Sequence, residues 1–167
     1  MNTYNTRSLP MALLCFLAAV IITLAGCTKE DQSAPYTDNG RIYFTGNATA
    51  AQMVPAGTST GTAVFRGMYD VNSQIFNYQI NWYGLAGGMT SASFYGPALA
   101  GQTGPATRSI ATAQTKLATD SISGVIWTYS KLTDAELADL KNGKWYYIIN
   151  TTANGSGEIR GQISLQK

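Results

Sequence analysis

The sequence predicts an all-β fold, an antiparallel sandwich or barrel of about eight strands with one short helix at about residues 133–142. Three observations predict it. Charged residues make up only 12% of the chain and glycine is frequent at 17, against about 25% charged in a typical soluble domain. Apolar and polar residues alternate in short runs separated by Gly, Asn, Asp and Pro, the pattern of half-buried strands joined by tight turns. One segment alone, around Thr133–Gly143, carries helix start and stop signals.

Residues 1–26 read as a secretory signal peptide. Arg7 is the sole charge ahead of an apolar run, Met11–Thr23 (MALLCFLAAVIIT), as in the n-region and h-region of such a signal. The run is shorter than the ~20 apolar residues needed to span a hydrocarbon core. Leu24-Ala25-Gly26-Cys27 then resembles the lipobox of bacterial lipoproteins. That resemblance implies a diacylglycerol thioether on the Cys27 sulfur and an acyl chain, typically palmitate, on its amine. Several acyl chains exceed what stable membrane anchoring requires. Cys15 leaves with the signal, so no intramolecular disulfide is expected.

Residues 27–40 read as a polar tether, with Pro35 and Asn39-Gly40 as loop signals. Its start, Lys29-Glu30-Asp31, is similar to the surface-export signal of some Gram-negative lipoproteins. The expected location is therefore the outer membrane, surface-exposed, with a periplasm-facing anchor as the alternative.

Residues 41–167 are expected to form one domain, long enough to hold a core without disulfides. Its strands are placed at Arg41–Thr45, Thr60–Tyr69, Gln74–Tyr83, Ser91–Tyr95, Ala106–Ala113, Ser121–Tyr129, Lys144–Thr151 and Glu158–Leu165. In Gln74–Tyr83 the residues Phe76, Tyr78, Ile80 and Trp82 share one face. In the last run Ile159, Gly161, Ile163 and Leu165 face in, and Glu158, Arg160, Gln162 and Ser164 face out. Thr133-Asp134-Ala135-Glu136 is a capping box, flanked by Leu132 and Leu137 as a hydrophobic staple. Gly143 ends that helix.

The chain contains no histidine, which removes the commonest general base and metal ligand. A net charge of +2 gives no reason to expect nucleic acid as a partner. The nine carboxylates are thinly spread. A polysaccharide hydrolase, the alternative function, needs two of them across a cleft, and Asp70, Asp120 and Glu158 are the only candidates, each with a turn or surface reading. Glu158 and Arg160 lie two apart on one strand face and are placed to pair with each other or a neighbouring strand, or to bind a ligand. The Arg fork suits a carboxylate or sulfate. Tyr83, Tyr95, Tyr129, Trp145 and Tyr146 would form a sugar- or peptide-binding platform if exposed.

Gly46–Pro55 (GNATAAQMVP), Thr60–Ala63 (TGTA), Ser93–Ala98 (SFYGPA), Trp145–Thr151 (WYYIINT) and Gly157–Gln162 (GEIRGQ) follow in that order. This succession resembles the chordin-type (CHRD) domain over Arg41–Lys167. The resemblance implies an immunoglobulin-like, Greek-key β-sandwich in an extracellular or bacterial secreted protein. Where the family has histidines, in H-I-H-G-P and N-V-H-T segments, this chain has Ser93, Tyr95 and Asn150. These make a poor zinc or copper site; no metal and no cofactor is expected, and a dismutase-like metal protein is disfavoured. The candidate binding cluster at family-motif positions is Ser93, Tyr95, Asn150, Glu158 and Arg160, and Cys27 is the candidate lipid attachment. The expectation is a non-catalytic binding or envelope-structural module. Its partners would be the membrane, through its lipid, and a glycan or protein ligand.

Overall fold

The computed structural model describes residues 37–112 and 124–167. The described strands are β1 (Thr37–Asp38), β2 (Arg41–Thr49), β3 (Thr62–Asp70), β4 (Ile75–Tyr83), β5 (Met89–Tyr95) and β6 (Ala106–Thr112). They continue as β7 (Gly124–Lys131), β8 (Tyr146–Thr151), β9 (Ile159–Gln162) and β10 (Ser164–Leu165). A helix, α1 (Asp134–Lys141), joins β7 to β8. No described helix is long and apolar enough to cross a membrane.

The all-β antiparallel expectation holds, with one α-helix among the described residues, but the strands do not divide into two sheets. Hydrogen bonds run through a single sheet in the order β6-β5-β8-β9-β2-β3-β4-β7, with β1 and β10 also on β2. The short β9 makes this continuity, pairing with β8 on one side and β2 on the other. The sheet curls until its two halves face each other, a nearly closed barrel. Tyr78 of β4 and Phe94 of β5 are five places apart in strand order, yet their ring centroids lie 4.9 Å apart. Phe65 of β3 likewise meets Phe94 and Tyr147, at 5.9 and 5.7 Å.

Alternation produces this core directly. Phe76, Tyr78, Ile80 and Trp82 of β4 are all buried, as are Phe44 of β2 and Phe65 of β3. Burying such side chains contributes roughly 1.5–3 kcal/mol each. β2 runs past its expected end at Thr45, because the small residues of Gly46–Thr49 are held in register opposite Thr62–Phe65 of β3. β1 lies in the expected tether and pairs with the first two residues of β2.

The helix forms where its caps require. The Thr133 hydroxyl accepts from the Glu136 amide, and the Glu136 carboxylate accepts from the Thr133 amide. At the other end Gly143 takes φ +65°. Its amide donates to the Leu140 carbonyl, and the Lys144 amide to that of Asp139, the paired bonds of a Schellman motif. Arg108 of β6 grips Glu136 with two hydrogen bonds, at 2.8 and 2.7 Å. This bidentate pair, with the Thr133 bonds, holds the Glu136 carboxyl down at about 2.

Candidate functional site

The family-motif positions lie on the outward-facing side of β5, β8 and β9. Register sets them in rows: Tyr95 opposite Tyr146, Ser93 opposite Ile148, and Ser91 opposite Asn150. Across the next ladder Ile148 stands opposite Arg160, and Tyr146 opposite Gln162. Directly opposed residues share a sheet face, so all of these point away from the aromatic core.

Facing away from the core does not leave Glu158 and Arg160 exposed. Both are 2% exposed, which corrects the expectation that they face solvent. The segment Ala50–Ser59 after β2 lies over them. It begins with a 3-10 turn, Ala50–Gln52, and its Met53 and Val54 line a cavity on each side, one at Glu158 and one at Arg160. Gly157 fits beneath Met53 because it lacks a side chain: at φ +127°, an added Cβ would sit 2.5 Å from the Met53 methyl.

The two charged groups do not pair with each other. The Glu158 carboxylate accepts from the Ser59 hydroxyl at 2.6 Å and the Ala86 amide at 2.7 Å on Oε1. On Oε2 it accepts from the Thr151 hydroxyl at 2.6 Å and the Asn154 side-chain amide at 3.4 Å. Burial pushes this carboxyl up, but the four hydrogen bonds outweigh burial and the net shift is downward. Glu158 thereby ties together three loops: those containing Ser59, Ala86 and Thr151–Asn154. Its neighbouring cavity encloses about 490 Å³.

Arg160 is held differently. Its guanidinium carbon lies 3.6 Å from the centroid of the Tyr146 ring. Tyr95, from the strand on the other side of β8, stacks on the same tyrosine at 5.3 Å and 12°. The Tyr146 hydroxyl both accepts from the Gly104 amide and donates to its carbonyl. Among the described residues the guanidinium makes one hydrogen bond, from Nη2 to Gln162 Oε1 at 3.3 Å. No described carboxylate reaches it, the ion pairs among the described residues being Arg41–Asp70, Arg108–Glu136 and Lys144–Asp139. Burial pulls its pKa down, partly countered by Tyr146. Burying an ion costs several kcal/mol after relaxation, and a desolvated cation–π contact returns about 2 kcal/mol. The Arg160 cavity encloses about 260 Å³.

Of the five candidate positions, Tyr95 and Arg160 converge on Tyr146, and Ser93 shares a register row with Arg160. Asn150 donates to the Ser91 hydroxyl at 2.8 Å and lines neither of these two cavities. Glu158 serves the loops. Among the aromatic candidates, Trp145 and Tyr146 are buried while Tyr83 and Tyr129 are exposed at 57% and 71%; the buried pair cannot contribute to an exposed platform. Asp70 accepts from the Asn72 and Ser73 amides and closes the β3–β4 turn. Cys27, the lipobox and Asp120 lie outside the described residues. Among those described, no three His, Cys, Asp or Glu residues cluster as a metal site. Sequence reasoning missed Gln52 and Gln162. The Gln52 side-chain carbonyl accepts from the Gln162 amide, a contact between segments 110 residues apart that only the GNATAAQMVP segment could have hinted at.

A family model for the CHRD domain matches residues 44–163. No curated protein and no solved structure matches the chain.

Proposed function

The chain belongs to the CHRD domain family, and from that premise we propose that it is a lipid-anchored, extracytoplasmic module with a non-catalytic binding role at the bacterial envelope. One observation carries the binding role. At the family-motif positions a buried guanidinium rests on Tyr146 beside a cavity, without a carboxylate partner among the described residues. An ion kept in so costly a setting is characteristic of a recognition site. Of the three carboxylates that a hydrolase would use, the two described are otherwise engaged, Glu158 in four hydrogen bonds and Asp70 in its turn; Asp120 lies outside the described residues.

Anchoring through Cys27 rests on the h-region and lipobox, and surface display on Lys29-Glu30-Asp31. Protease shaving of intact cells tests the placement. Release of the 41–167 domain supports surface display, and full protection assigns it to the periplasmic face. Co-sedimentation of the purified chain with isolated envelope tests the binding role. Saturable pelleting supports it, and recovery of the whole chain in the supernatant at every envelope concentration overturns it.

A further inference from the structure

We infer that the cavity beside Arg160 is a recognition site for a carboxylate group, which the guanidinium would receive through two parallel hydrogen bonds. This rests on the binding reading above and gives it a ligand class.

The guanidinium has donors to spare. It carries five N–H groups, and one is used among the described residues, on Gln162 Oε1. The described side-chain polar atoms that are buried without a partner are Trp82 Nε1, Ser130 Oγ and Asn150 Oδ1. No Arg160 nitrogen is among them, so those without an acceptor still meet solvent, and the cavity that Arg160 lines supplies it. The residue as a whole is 2% exposed, so the opening is small.

The two glutamine side chains that line the cavity are already engaged. Gln162 Nε2 donates to the Ala98 and Gly143 carbonyls. Gln52 Nε2 donates to the Asn47 carbonyl, and its Oε1 accepts from the Gln162 amide. Both amides are thus fixed in orientation, and the Arg160 fork is the one cationic donor among the described lining residues. A planar acceptor with two oxygens and a single negative charge matches one guanidinium. A phosphate dianion would leave a charge unbalanced.

The walls limit what carries the carboxylate. Ala51, Met53, Val54 and Ala100 line a space of about 260 Å³, below the usual ~300–1,000 Å³ of a drug-sized pocket. It fits an end group: the C-terminal residue of a peptide or one uronic acid unit of a glycan.

The Arg160 Nε–Hε resonance of the full chain, followed by NMR, reads the site. N-acetylglycine stands for a peptide terminus, methyl glucuronide for a uronic acid, and N-acetylglycinamide for the neutral control. Saturable shifts with either acid in the millimolar range, and none with the amide, are expected; the tighter acid identifies the source. Measured by the chain's other shifted resonances, Arg160→Lys should weaken the acid at least tenfold. Ala100→Trp, at an exposed loop position on the cavity wall, should abolish the shift at unchanged melting temperature. No saturation by either acid up to about 100 mM, or equal shifts with the amide, would overturn the assignment. Envelope co-sedimentation that persists in that case leaves the binding role standing without this ligand class. Its loss in the wild-type chain removes the binding role itself.

Discussion

Arg160 and Tyr146, on the paired strands β9 and β8, form a cation–π contact with the guanidinium carbon 3.6 Å from the ring centroid. Tyr95 and the Gly104 backbone hold the tyrosine in place. The contact therefore joins three strands and the β5–β6 loop. It keeps a cation inside the fold without neutralising it.

The ring and the hydroxyl of Tyr146 should be separable. Tyr146→Phe keeps the ring and loses the Gly104 bonds, at an expected cost of about 1–2 kcal/mol. Tyr146→Leu also removes the surface under Arg160 and should cost about 3 kcal/mol or more. Urea unfolding of the two variants measures the difference. Equal losses would mean that the ring contributes nothing to holding Arg160.

Glu158→Gln should destabilise the domain by roughly 2–3 kcal/mol. Each carboxylate oxygen accepts one hydroxyl and one N–H. Whichever way the glutamine amide is turned, its NH₂ confronts either the Ala86 amide or the Asn154 side-chain amide. Hydrogen exchange should quicken in all three tied loops together. Faster exchange in one loop alone would show that Glu158 does not couple them.

Acid should weaken the hold of β6 on the helix. The Glu136 carboxyl is lowered from an ordinary 4.5 to about 2, first by its hydrogen bonds from Arg108. A folded-state pKa below the unfolded one gives stability that is complete above the unfolded value and lost as pH falls through the folded value. The contribution is thus present at neutral pH and declines between about 4.5 and 2. Glu136→Gln should cost about 2 kcal/mol at pH 7, and its melting temperature should approach that of the wild-type chain near pH 2. A gap that stays constant with pH would contradict the assignment.

Cys27→Ser should move the chain from the membrane fraction to the soluble extracytoplasmic fraction and abolish incorporation of labelled palmitate. Palmitate incorporation that persists in Cys27→Ser would rule out Cys27 as the lipid attachment.

Much of the fold was legible because the signals behind it are local. Period-two alternation named the buried face of β4 correctly, and the Thr133–Glu136 capping box with Gly143 bounded the helix to within a residue or two. Less of the site was legible. Alternation correctly put Glu158 and Arg160 on the face opposite Ile159 and Ile163, but it could not say what covers that face. The cover is a loop about 100 residues away in sequence, as the Ser59–Glu158 bond shows.

The sequence by itself determined the all-β class, most of the strand positions, the helix and its caps, and the family motifs. Each follows from steric and hydrogen-bonding preferences within a few residues. Only the tertiary structure decided that the strands close into one curled sheet, that Ala50–Ser59 roofs the outer face of β9, and that Glu158 and Arg160 are buried apart. Burial and partner choice are properties of surfaces meeting across the chain, and strand parity fixes the direction of a side chain without fixing what it meets there.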